Sequence, residues 1–119
     1  MRSEEKKTKP FTKAPNSMKK PHKNLRAWQL GMAIAADVYR LTEAFPREEK
    51  FGLSSQMRRC AVSIPSNIAE GAARHSKKEF INFLYIAAGS LSELDTQLEL
   101  ANTLGFLDRP TREQLDEKL

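Results

Sequence analysis

The sequence predicts an all-α fold, an up-and-down antiparallel helical bundle with three long helices and a short fourth. Three observations predict it. From Asn24 onward, apolar residues recur at steps of three and four, the spacing that lines one face of a helix. Helix start and stop signals at Pro46, Gly52, Ser76, Gly105 and Asp108 bracket those runs. No strand signal competes, because β-branched residues occur singly within the helical spacing and no Asn-Gly or Asp-Gly pair offers a hairpin turn.

Helix 1 is predicted over residues 25–45. Leu25, Trp28, Met32, Ala35, Tyr39 and Thr42 form a heptad seam, and Leu30, Ile34, Val38, Leu41 and Phe45 run beside it. Two apolar lines are expected of a helix that packs in a bundle and also touches another chain. Trp28, Leu30 and Tyr39 are the residues placed nearest that uncovered surface, since aromatic anchors favour interface centres. Pro46 ends the helix, and residues 47–50 make a short charged connector.

Helix 2 is predicted over residues 53–73, with Leu53, Met57, Cys60, Ile64 and Ile68 as its buried line. Pro65 sits in its middle, where a proline removes a backbone hydrogen bond and clashes with the preceding turn at a cost of roughly 3 kcal/mol. The expectation is a bend at Pro65, with Ser63, Asn67 or Glu70 bonding backbone groups freed there, the Ala61 carbonyl among them. Glu70 is expected near the bundle-facing side, paired with Arg58, Arg59 or Arg74. Ser63, Pro65, Asn67 and Glu70 thus read as one structural polar motif.

Helix 3 is predicted over residues 77–104. Ser76 and Glu79 make a capping box at its start, and Gly105 is a natural C-terminal stop. Phe80, Leu84, Ala87, Leu91, Leu94, Leu98 and Ala101 form the clearest seam in the chain. Asp108, Pro110 and Thr111 then open a fourth helix, whose apolar face begins with Leu115 and Leu119.

The net charge of +5 is unevenly placed. Residues 1–23 carry eight Lys/Arg against two Glu, while the remainder carries twelve against thirteen Asp/Glu. The basic character therefore belongs to an extension and not to the folded body, which weakens any nucleic-acid argument from charge alone. With three prolines and one aromatic, residues 1–23 cannot bury enough apolar surface to order themselves, so a disordered basic tail is expected. It reads as a solvated extension or as an arm that grips phosphates. No apolar run has the roughly 20 residues of a membrane span, and a single cysteine excludes an internal disulfide. A cytoplasmic protein without a membrane partner is the expectation.

The residues offer little for catalysis, so a non-enzyme with no metal and no cofactor is expected. Cys60 lies on the apolar line of helix 2 and reads as a small buried hydrophobe; no base stands near it in helical spacing. His22 and His75 have no ligand at metal-binding spacing, and no Glu-x-x-His pair of the di-iron type occurs. Arg58 and Arg59 point about 100° apart on helix 2. Together with Arg74, Lys77 and Lys78 they read as a modest basic cluster around the connection from helix 2 to helix 3. Lys77 and Lys78 occupy the first turn of helix 3, where the dipole disfavours cations; they suit either an external anion or plain solvation. No aromatic platform lies among these basic residues in the sequence, so sequence-specific RNA readout is not expected.

Several of these motifs occur in a telling order. The run GLSSQMRRCAVSIPSNIAEG is followed by the basic step from Arg74 to Lys78 and then by EFINFLYIAAGSLSELDTQLELA. NLRAWQLGMAIAADVYRLTEAFPREEKFGL precedes them. Over about Asn24 to Leu107 the chain resembles the bacterial four-helix bundle proteins, also called 23S rRNA intervening-sequence proteins. It is similar in fold to the accessory variability determinants of diversity-generating retroelements, which assemble as a pentameric barrel and work with a reverse transcriptase. The resemblance implies a homo-oligomer, a pentamer by that analogy, that binds RNA or DNA or a nucleic-acid enzyme. Arg58, Arg59, Arg74, Lys77 and Lys78 carry over only as basic positions. The alternative is a structural or protein-interaction oligomer with no nucleic-acid role. In the family the fourth helix opens where Asp108 stands, yet only about two turns follow here. The bundle domain over 24–119 is therefore expected either to be incomplete at its C-terminal end or to complete its bundle differently. Either way, apolar strips of helices 1 and 3 would lie uncovered.

Overall fold

Four α-helices and no strand make up the described part of the computed structural model, which covers residues 21–119. The expected tail lies outside the described residues up to position 20. Its last residues belong to the fold, since Pro21–Asn24 form a 3-10 turn that sets the His22 ring edge-on against Trp28 at 4.9 Å.

Helix α1 spans Arg26–Thr42 and stops three residues earlier than predicted. Glu43, Ala44 and Phe45 donate to carbonyls three residues back, at 3.1–3.3 Å, so the last turn tightens ahead of Pro46. The tightening swings Phe45 inward against Phe106, with the ring centroids 5.5 Å apart. A 3-10 turn, Arg47–Glu49, leads into α2, Leu53–Ala72. Helix α3 runs Lys77–Thr103, and α4 runs Arg109–Asp116.

The caps account for these limits. Ser76 Oγ accepts from Glu79 N at 3.1 Å, giving the forward half of the capping box. Gly105 takes φ +82°, the left-handed conformation that favours glycine. Its N–H donates to Asn102 O, and Phe106 N donates to Ala101 O at 2.9 Å, so α3 closes on a Schellman motif. Asp108 Oδ1 accepts from Thr111 N at 2.9 Å and starts α4; that bond holds its carboxyl below the ordinary value.

Helix α2 lies between α1 and α3 and packs on both. Met57, Ala61, Ile64 and Ile68 meet Ile34 and Val38 of α1 and Ala87, Leu94, Leu98 and Ala101 of α3 in one core. Of the predicted α3 seam, Ala87, Leu94, Leu98 and Ala101 are buried, while Phe80, Leu84 and Leu91 are half-buried. On α1 the buried line is Ile34, Ala35 and Val38, whereas Met32 and Tyr39 of the predicted seam are about half exposed. The packed stripe therefore passes between the two predicted lines. Two glycines set the helix spacing. A Cβ on Gly31 would lie 3.3 Å from Pro65 N, and one on Gly71 would lie 2.6 Å from Phe83 Cβ.

Helix α4 is tied to α3 by Arg112, which the sequence did not single out. Its side chain is 5% exposed; Nη2 lies 2.5 Å from Asp95 Oδ1, and Nη1 bonds Asp116. Burial works against this guanidinium's charge, but Asp95 and Asp116 outweigh it and raise its pKa.

Candidate functional site

The Pro65 region is where the sequence broke its own rules, and the structure divides that motif into three jobs. Helix α2 continues through Pro65, whose buried ring meets Gly31 of α1. The missing N–H thus lies at a helix contact where a larger residue on α1 would not fit. Ser63 Oγ donates to Cys60 O at 2.7 Å and shares a 2.6 Å hydroxyl–hydroxyl bond with Ser90, linking α2 to α3. Asn67 Nδ2 donates to Ser63 O at 2.7 Å. No side chain among the described residues donates to the Ala61 carbonyl, contrary to expectation. Glu70 is also not bundle-facing. It is exposed and pairs with Arg74 at 2.8 Å, an i, i+4 pair on the outer surface of α2.

Cys60 sits beside this motif. It is buried, and its thiol donates to Ser90 O at 3.0 Å. Burial and then the nearby Glu93 carboxylate push its pKa up to about 11, so the thiol stays protonated and unreactive at neutral pH. Among the described residues no group of three or more His, Cys, Asp or Glu is placed to hold a metal ion.

The three residues assigned to an uncovered surface fall on two different grooves. Trp28 and Tyr39 line one apolar groove of about 440 Å³ on the outer side of α1 and α2. Met32 and Val62 join them there and are 48% and 42% exposed. Val62 escaped the sequence reading; its only signal is an apolar residue lying off the buried line of α2. Leu30 lines the second groove, about 260 Å³ between α1 and α3, where Leu84 and Leu91 meet Leu119.

The basic residues do not form one cluster. Arg58 and Arg74 are sixteen positions apart on α2 and its C-terminal turn, about 24 Å along a helix axis. Arg58 is turned inward: Nε donates to Thr42 Oγ1 at 2.8 Å and Nη2 to Tyr39 O at 3.2 Å. Its guanidinium also lies 4.7 Å over the Tyr39 ring. It therefore caps the C-terminal end of α1. Arg74 stacks on Phe83 at 4.9 Å while it pairs with Glu70. Arg59, Lys77 and Lys78 are exposed, and no ion pair engages them among the described residues.

Residues 23–119 match the family model described as 23S rRNA-intervening sequence protein. The chain belongs to that family. No curated protein matches it. The matched span takes in all four helices and both apolar grooves. Among the described residues no helix is long and apolar enough to cross a membrane.

Proposed function

We propose that this protein is a non-enzymatic helical bundle that assembles with copies of itself and engages nucleic acid or an enzyme that acts on it. The observation that carries the reading is the outer groove of Trp28, Met32, Tyr39 and Val62. The core takes one stripe of α1, and these residues form a second apolar surface with two aromatic anchors, the composition that favours interface centres. Its occupant is a second copy. A closed ring of about five copies, in which one face of a protomer meets a different face of the next, follows from the resemblance to the accessory variability determinants.

Arg59, Lys77 and Lys78, exposed and without an ion pair among the described residues, support contact with phosphates, and a ring repeats them around its axis. An electrophoretic mobility shift with structured RNA at two salt concentrations tests this part. The expected result is a shift that weakens at the higher salt and survives deletion of residues 1–23. Binding that vanishes with the deletion refutes the assignment to Arg59, Lys77 and Lys78. A second reading, an interaction oligomer with no nucleic-acid role, draws on the inward commitment of Arg58 and on the pairing of Arg74 with Glu70 at the surface. An intact oligomer that shifts no RNA even at low salt establishes that reading instead.

A further inference from the structure

We propose that the pocket between the C-terminal end of α1 and the start of α2 binds a phosphodiester group of a nucleic-acid backbone; this rests on the nucleic-acid reading above. The pocket holds about 480 Å³, and its lining includes Thr42, Glu43, Arg47, Lys50, Ser54 and Arg58.

Ser54 is the telling residue. It is 7% exposed, lines the pocket, and its hydroxyl has no hydrogen-bond partner among the described residues. That hydroxyl is not among the atoms sealed from solvent, so it reaches the pocket space. A hydroxyl that lines a pocket and has no protein partner is free to bond a ligand there. The start of α2 adds unspent donors. No side chain of the N-cap residue Gly52 serves this turn, and Glu49 Oε1 accepts only Leu53 N, at 3.0 Å. The amides of Ser54 and Ser55 have no backbone partner, and they stand at the positive end of a 20-residue helix.

Arg58 supplies a fixed fork. Two of its five N–H donors are used by Thr42 Oγ1 and Tyr39 O, and the Tyr39 ring holds the plane in place. The other three remain for an oxyanion, for which a planar guanidinium is well matched. Arg47 and Lys50 stand at the rim without a carboxylate partner among the described residues. Glu43 also lines the pocket, so three cations face one carboxylate and the lining stays net positive. Hydroxyl, helix amides and fork come from α2, and the rim cations come from the 3-10 turn that leads into it. A group with several acceptor oxygens can engage them together.

The test is amide NMR on the full 119-residue chain, titrated with inorganic phosphate and, separately, with a single-stranded RNA oligonucleotide. Ser54→Ala and Lys50→Glu are compared with the parent, and Arg58 is left intact because it caps α1. Both ligands are expected to move the Ser54 and Ser55 amides, and Ser54→Ala is expected to abolish the phosphate shifts with the rest of the spectrum unchanged. Lys50→Glu is expected to weaken RNA binding about tenfold and to lower the salt slope by about one. RNA that binds all variants equally, or moves only amides near Lys77 and Lys78, overturns this site and leaves the nucleic-acid reading standing. Phosphate shifts without any RNA binding at low salt overturn the phosphodiester assignment together with that reading.

Discussion

Replacing Gly71 by alanine puts the contact between α2 and α3 to a direct test. The added Cβ would lie 2.6 Å from Phe83 Cβ and 3.0 Å from Phe80 Cδ1. Carbon atoms rest at about 3.5–4.0 Å, so the two helices must separate by about 1 Å. Phe83 Cβ is fixed to the backbone, and no rotamer change relieves the contact. Overpacking of this kind costs roughly 1–3 kcal/mol. Alanine returns less than about 1 kcal/mol of helix propensity, because Gly71 lies in the last turn of α2. The net is a destabilisation of about 1–2 kcal/mol, or a fall in Tm of about 5–15 °C for a domain of this size. Gly89→Ala is the control, since a Cβ there meets nothing within 4 Å. It should raise stability by up to about 1 kcal/mol. Gly31→Ala, with contacts of 3.3 Å to Pro65 N and Ile64 Cγ2, should fall between the two. Thermal and urea unfolding followed by far-UV circular dichroism supply the numbers. A Gly71→Ala protein as stable as the parent would falsify the close approach of these helices.

Other expectations follow from particular side chains. Asn67→Leu removes the bond to Ser63 O and should lower stability by about 0.5–1.5 kcal/mol; an unchanged Tm would leave Asn67 without a structural role. Arg112→Ala should release α4, seen as faster hydrogen exchange over Arg109–Asp116, and equal protection in both proteins would refute the anchoring role. The Cys60 thiol keeps its proton to about pH 11 in the fold but loses it near 9.0 when unfolded, so rising pH favours unfolding across that window. Stability should fall there by up to about 1.4 kcal/mol per pH unit more than in Cys60→Ala, and parallel pH curves would contradict the buried, neutral thiol.

The sequence was most legible where one signal had one reading. Over residues 90–99 of α3 the only apolar residues are Leu91, Leu94 and Leu98, so spacing alone placed Leu94 and Leu98 inside. Gly105 and Asp108 do what their residue types do best, closing α3 and opening α4. On α1, by contrast, two adjacent lines are apolar, and spacing does not say which one faces the core. The answer came from Gly31 and Pro65, whose close approach fixes how α1 lies on α2. The basic residues misled for a different reason. Arg58 lies in the first half of α2 and Arg74 just past its C-terminal end, so they stand far apart, and tertiary partners such as Thr42 are invisible to local spacing. Arg112 was hidden too, because its acidic partners Asp95 and Asp116 lie seventeen and four positions away on two helices.

Self-association through the outer groove is the central claim, and sedimentation velocity on the full chain at tens of micromolar tests it most directly. The account predicts a species several times the 13.5 kDa chain mass, which shifts toward monomer when Trp28 or Tyr39 is replaced by a charged residue. A clean 13.5 kDa monomer for the parent protein, or an oligomer indifferent to both substitutions, would contradict it.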